Sequence, residues 1–400
     1  MRIRIDNSLL NKLGTIWVLI NIWALPLEYF IEAFSPTIRG VVTNSIAAVA
    51  LLYGMLLIIC SLLLHYNQQQ IGLIIVLIIV VGTNILVFKE NNSAVIPIFK
   101  MLLMTYMASF ALSSINSFQG LYNTILKTSY VAIPLCIAIR VLVLPQVYRE
   151  YGNFSIMLFP YAFIVCAEMF KKKGMINTIF GLISAFSLLV FGNRTSILLL
   201  AIGMLLLEYK KNPVWKTLAF IIIGIGLITF SSFTETFFNN ILDSLIRIFY
   251  NKGIYSRAIV FVKNEGIFNL SGRELFYQNA LALIKKSPLL GNGVGSDMVY
   301  NFYNIYSTSS SVTGFYSHNG FLEMAVEFGV PLAIIVWMSI FIMALRKYVN
   351  YDRYDIEFVF FIIMLVYGIG RTFLGYPYWY NWYFWGAIGM LMKNNPARLE

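Results

Sequence analysis

His318 is one of only two histidines in this 400-residue chain, and it stands beside Asn319 where a polar stretch gives way to a long apolar run. An imidazole titrates near neutral pH and can take a proton from a hydroxyl group. Two arginines stand in separate turns, Arg194 in Gly192-Asn-Arg-Thr195 and Arg273 in Gly272-Arg-Glu274. Their planar guanidinium forks suit bidentate grip on phosphate oxygens. Together they fit transfer of a sugar from a lipid-borne diphosphate. Arginines stabilise the charge left on the departing diphosphate, and His318 accepts the proton of the incoming hydroxyl. The chemistry needs no cofactor and no metal. Arg371 is expected to join the diphosphate-binding set, with Arg247 and Arg257 as weaker additions. Asn319, Glu323 and Glu327 are supporting residues; the two glutamates, at i, i+4 spacing, are expected to brace a helix. Asp297 is a fallback base.

Such residues need a membrane scaffold, and composition supplies one. With 59% hydrophobic and 12% charged residues, and a mean hydropathy of +0.75, the chain cannot cover a soluble globule with polar surface. An all-α polytopic integral membrane protein is expected. About twelve apolar runs of spanning length occur, near 14–34, 40–64, 71–88, 95–115, 121–143, 154–170, 175–191, 195–208, 215–232, 319–345, 356–375 and 379–392. Lysines and arginines collect at alternate ends: Arg2, Arg4 and Lys12; Lys171–Lys173; Lys210, Lys211 and Lys216; Arg346, Lys347 and Arg353; Lys393 and Arg398. By the positive-inside rule both termini are cytoplasmic, and the formal net charge of +11 is largely topogenic. No soluble basic domain offers a nucleic-acid face. The first span lacks a small-residue cleavage site and is expected to stay as an anchor. Cys60, Cys136 and Cys166 fall inside spans as small buried hydrophobes, giving neither disulfide nor zinc. His65 is a solvated interface residue, and the aromatic cluster Tyr376–Trp385 an interfacial belt.

The organisation that follows is one membrane domain in three parts. Spans one to nine occupy 1–232, an outward loop 233–318, and spans ten to twelve 319–400. A loop of that length usually carries function. Inside it, Gly272–Lys286 has a rough helical period with polar faces and is expected to lie as an amphipathic helix on the outer membrane surface. Gly291-Asn-Gly-Val-Gly-Ser296 has the glycine content of a phosphate cradle but lacks the preceding strand and the following lysine, so a flexible turn is expected.

Three segments then resemble a known family. Asn193-Arg-Thr-Ser-Ile-Leu-Leu-Leu200, the run from Gly272 to Gly295, and His318-Asn-Gly-Phe-Leu322 with Glu327-Phe-Gly329 are similar to the O-antigen polymerase and O-antigen ligase superfamily. The resemblance implies a C-type glycosyltransferase-like architecture in the bacterial inner membrane, with the site on the periplasmic face. It puts the undecaprenyl diphosphate on Arg194 and Arg273 and the acceptor hydroxyl on His318. Val330 stands where ligases often show threonine, and the Phe321–Gly329 continuation resembles polymerases more. A polymerase that moves the growing glycan onto the next lipid-linked repeat unit is therefore expected. A ligase delivering glycan to lipid A core is the first alternative, and a lipid-linked oligosaccharide flippase the second. The implied partners are an undecaprenyl-diphosphate-linked oligosaccharide, membrane lipid and a chain-length regulator protein.

Overall fold

A computed structural model describes residues 7–35, 38–64, 68–143, 151–171, 174–211, 243–244, 246–248, 250–251, 273–305, 312, 314–351 and 355–393. Among them there is helix and no strand, as a bilayer requires of a chain that must satisfy its backbone groups internally. The helices are α1 (Asn7–Phe34), α2 (Arg39–Leu63), α3 (Gln68–Val87), α4 (Asn92–Ser114), α5 (Gln119–Ala138), α6 (Tyr151–Lys171), α7 (Met175–Phe191) and α8 (Arg194–Lys211). After the loop come α9 (Glu274–Lys286), α10 (Ser296–Ile305), α11 (Gly320–Phe328), α12 (Val330–Asn350), α13 (Ile356–Ile363), α14 (Arg371–Gly375) and α15 (Trp382–Met392). Eight helical stretches are long and apolar enough to cross a membrane, and Met175–Phe191 is a shorter apolar helix. The expected span at 215–232, His65 and Arg257 lie outside the described residues.

Burial separates centre from rim. The spanning part of α6 is 78% buried, against 17% for α3 and α12, whose Ile75, Val76, Ile79, Ile335, Met338 and Phe341 face outward as lipid-facing residues do. α15 lies against α4, where Ser109 and Ala108 meet Gly389 and Gly386 and let the two backbones approach. Cys60, Cys136 and Cys166 are free and buried, as hydrophobes.

Two expected spans change form. The run 319–345 is not one helix: it breaks at Gly329, whose φ of 87° and ψ of 157° belong to a region that only glycine enters readily. Pro331 follows in the first turn of α12, so α11 is a separate short helix beside the span. The run 379–392 becomes a 3-10 turn at Tyr378–Tyr380 and an 11-residue helix, roughly 16 Å long at 1.5 Å per residue, well short of a bilayer. Its aromatic residues are not an interfacial belt. Tyr378, Trp379, Tyr383, Phe384 and Trp385 are buried in the bundle, where Trp385 meets Tyr106 edge to face at 5.0 Å.

Between α13 and α14, Met364–Gly370 forms a π-helical turn. Asn381 supports it, donating through Nδ2 to the Gly368 carbonyl at 3.1 Å and to Thr372 Oγ1 at 3.0 Å while its Oδ1 caps α15 through Tyr383 N–H. A π turn of this kind widens the helix and often marks a functional position. Here it carries the chain directly into Arg371.

Candidate functional site

α11 begins where Asn319 caps it, its Oδ1 accepting the N–H groups of Phe321 and Leu322, both at 3.0 Å. His318 lies one residue earlier with φ at 53°, the one non-glycine residue with positive φ among those described. Its ring meets Phe276 edge-on at 5.1 Å and lies 4.2 Å from the Tyr316 ring. Nδ1 is buried and receives no hydrogen bond. Burial, the positive charge of Arg273 and, in opposition, a backbone hydrogen bond with Gly375 set the imidazole pKa, lowering it to about 4. His318 is therefore neutral across the physiological range, the form a proton acceptor needs.

Arg273 immediately precedes α9, and its Nη1 donates to the Leu374 carbonyl at 3.2 Å. A Cβ placed on Gly375 would meet Arg273 Nη1 at 2.5 Å and the His318 carbonyl at 2.9 Å, so the loop helix, the histidine segment and α14 converge on one glycine. Tyr277 adds a longer bond from its hydroxyl to the His318 carbonyl, at 3.4 Å. The amphipathic α9 is present as expected over Glu274–Lys286, but its buried residues Ala280 and Leu283 pack on Val326 of α11, so part of its apolar face meets protein.

Arg371 opens α14, and it is not a water-exposed arginine. It is 5% exposed, with its guanidinium carbon 3.9 Å from the Tyr376 ring centroid and 4.8 Å from that of Tyr367. Tyr367 in turn stacks on Phe159 at 3.8 Å and faces Ser196 Oγ at 3.4 Å. That last contact brings the start of α8 to the same region. Arg194 is the first residue of α8, and Asn193 caps the helix through Ser196 N–H at 2.8 Å. Arg247 is exposed in a short described piece.

Beneath His318 three carboxyl groups are buried: Asp297 and Glu323 at 0% exposure and Glu327 at 1%. Glu327 takes the Gly295 N–H on Oε1 at 2.7 Å and the Tyr378 hydroxyl on Oε2 at 2.8 Å. Glu323 accepts from Trp379 Nε1 at 2.8 Å. Burial raises the pKa of both glutamates, and their neighbouring carboxylates raise them further. These bonds tie α11 to the glycine-rich loop and to the Tyr378–Tyr380 turn. Asp297 is no fallback base, because it lies fully inside and spends Oδ2 on Ser317, accepting from N–H at 2.7 Å and from Oγ–H at 2.6 Å.

The glycine-rich segment is not a flexible turn. Gly291, Gly293 and Gly295 all have positive φ, and the loop is tied on two sides. Asn292 and Gly293 N–H groups donate to the carbonyls of Val326 and Glu327, Val294 N–H to Asn84 Oδ1 at 2.7 Å, and Asn91 Nδ2 to the Asn292 carbonyl at 2.9 Å. Ser317, Asn301, Asn84 and Tyr367 were not singled out by sequence. Each is a polar or aromatic residue in a membrane chain without a motif, and only its partner gives it a role. Among the described residues no group of three or more His, Cys, Asp or Glu side chains is arranged to hold a metal ion.

The fold and this cluster define a multi-pass helical membrane protein with a histidine and arginines gathered beside its spanning bundle. Residues 179–337 match the family model described as O-antigen ligase, a stretch that runs from α7 through the loop and into α12. Over that stretch the chain is similar to the O-antigen ligase family, whose members are glycosyltransferase-like enzymes. No curated protein and no solved structure matches it.

Proposed function

We propose that this protein is a surface-polysaccharide polymerase of the bacterial inner membrane. It transfers a growing glycan from undecaprenyl diphosphate to the next lipid-linked repeat unit on the periplasmic face. The observation that carries the reading is the convergence of Arg273 and the neutral His318 at Gly375. A hydroxyl oxygen of the acceptor attacks the anomeric carbon of the donor sugar and gives its proton to the unpartnered nitrogen of His318. The bond from that carbon to the phosphate oxygen breaks, and undecaprenyl diphosphate leaves with the electron pair. Arg273 and Arg194 bind the diphosphate and stabilise its growing charge, while Arg371, held against the Tyr367 and Tyr376 rings, adds a fixed positive charge. The cytoplasmic side in this reading is the one where Arg346, Lys347 and Lys393 collect in the sequence, by the positive-inside rule. A chain-length regulator protein is the expected partner.

The description of the matching family model favours a second reading, a ligase that delivers glycan to lipid A core. A deletion strain complemented with wild type or His318→Ala at matched membrane abundance separates the two. Loss of the glycan ladder with single repeat units still reaching the acceptor lipid supports the polymerase. Long polymer retained on undecaprenyl diphosphate supports the ligase. An unchanged ladder removes His318 from the chemistry, and repeat units trapped on the cytoplasmic face would indicate a flippase instead.

A further inference from the structure

We infer that Asp297 and Asn301, one turn apart on α10, are positioning residues that hold His318 in register with Arg273. The inference rests on the sugar-transfer reading above.

At i, i+4 spacing the two side chains share a helix face about 6 Å apart. That face lies along the non-helical segment that leads into the histidine. Asn301 Nδ2 donates to the Phe315 carbonyl at 2.8 Å, and two residues further on both donors of Ser317 go to Asp297. Two residues of non-helical chain reach at most about 7 Å, so the helix turn and the segment match in length and α10 acts as a splint. Asn301 also accepts from Asn279 Nδ2 of α9 at 2.8 Å. One side chain therefore ties the histidine segment to the helix that Arg273 begins.

His318 is the next residue after the splint and the last before the Asn319 cap. Its left-handed backbone is unfavourable in an L-residue and persists only where the surroundings impose it. Ser317 and Asn319, each fixed by two hydrogen bonds, impose it here. Asp297 is a costly anchor, fully buried, with Oδ1 receiving no hydrogen bond. That cost is accounted for when the carboxyl group sets the direction of the imidazole.

The test uses membranes carrying the full protein, with undecaprenyl-diphosphate-linked repeat units extracted from the deletion strain as probe. Asp297→Ala is expected to lower kcat about 100-fold, the penalty of roughly 1 Å of misplacement, with the KM for the lipid-linked donor unchanged within twofold. Asp297→Asn is expected to recover most of the rate, because an amide oxygen can accept both Ser317 donors. Asn301→Ala is expected to act in the same direction as Asp297→Ala. Wild-type kcat in well-folded Asp297→Ala, with His318→Ala inactive, overturns the inference, as does a change confined to KM. If Asp297→Ala does not fold, Ser317→Ala removes one donor only; a kcat loss supports the splint and an unchanged kcat overturns it. Full activity in His318→Ala would remove His318 from the chemistry and overturn the inference with it, whereas no glycan transfer by wild-type membranes would overturn the sugar-transfer reading, a separate result.

Discussion

The backbone N–H of Gly295 donates to Glu327 Oε1 at 2.7 Å, so a loop with the glycine content of a phosphate cradle is already occupied by a carboxyl group of the protein itself. Loop, α11 and the Tyr378 turn meet on that side chain. Glu327→Ala would leave two buried donors without an acceptor and is expected to cost about 3 kcal/mol. Glu327→Gln retains the Gly295 bond and is expected to cost about 1 kcal/mol or less. Thermal unfolding in detergent measures both; equal losses would mean that the loop is held elsewhere.

The imidazole of His318 should titrate far below its ordinary 6.5, near 4. With only two histidines in the chain, His65→Gln leaves one ring signal to follow by NMR across pH 3.5–8. Arg273→Gln removes a positive charge that opposes protonation, so the midpoint is expected to move upward. A midpoint of 6–7 in the otherwise native protein would show that the ring is solvated. If the histidine is the base, activity persists through pH 5 and falls only as the ring protonates near 4.

Glu323 has a native pKa raised by burial and by Glu327 and Asp297, so folding binds a proton there. Its stability contribution is complete below the ordinary 4.5 and is lost as pH rises through the native value. Between pH 7 and 8.5 His318 is neutral both folded and unfolded, and drops out. In that window wild type is expected to lose up to about 1.4 kcal/mol per pH unit for each carboxyl group that keeps its proton in the folded state and is ionised in the unfolded one, and Glu323→Gln to lose less. Identical slopes in the two proteins would show that Glu323 is ionised throughout.

At Gly329 any side chain is doubly excluded. The backbone is in a glycine-only region, and a Cβ would overlap the Leu289 carbonyl. Gly329→Ala is therefore expected to cost about 3 kcal/mol or more and to lower the abundance of folded protein in the membrane. Wild-type abundance and melting temperature would argue for a continuous helix through 329.

Arg371 should not tolerate lysine. An ammonium group keeps the charge but loses the planar contact with Tyr376 at 3.9 Å, and a loss of about 1–2 kcal/mol is expected in thermal unfolding. Equal stability of Arg371→Lys would reduce the stacking to a bystander.

Membrane class, most helix positions and the amphipathic α9 were legible in the chain, because bilayer burial imposes long apolar runs that hydropathy reports directly. The breaks were not. Gly329 reads as one small residue within an apolar run, and its positive φ appears only once Leu289 and Val330 are seen against it. The aromatic run at Tyr376–Trp385 reads as an interfacial belt from its composition alone, and packing against α4 places it in the core instead.

By itself the sequence determined which side chains are available for chemistry: a histidine, arginines in separate turns, and motifs that lie within the family match at 179–337. Which of them meet was decided by tertiary structure alone. Arg273 and His318 are 45 positions apart and approach the same glycine, Gly375, because α9 and α10 pack on α11. Asp297, by sequence a fallback base, is turned inward to Ser317. Apolar periodicity is a local property of the chain, whereas burial, electrostatic coupling and hydrogen bonds across long separations arise only when distant segments are in contact.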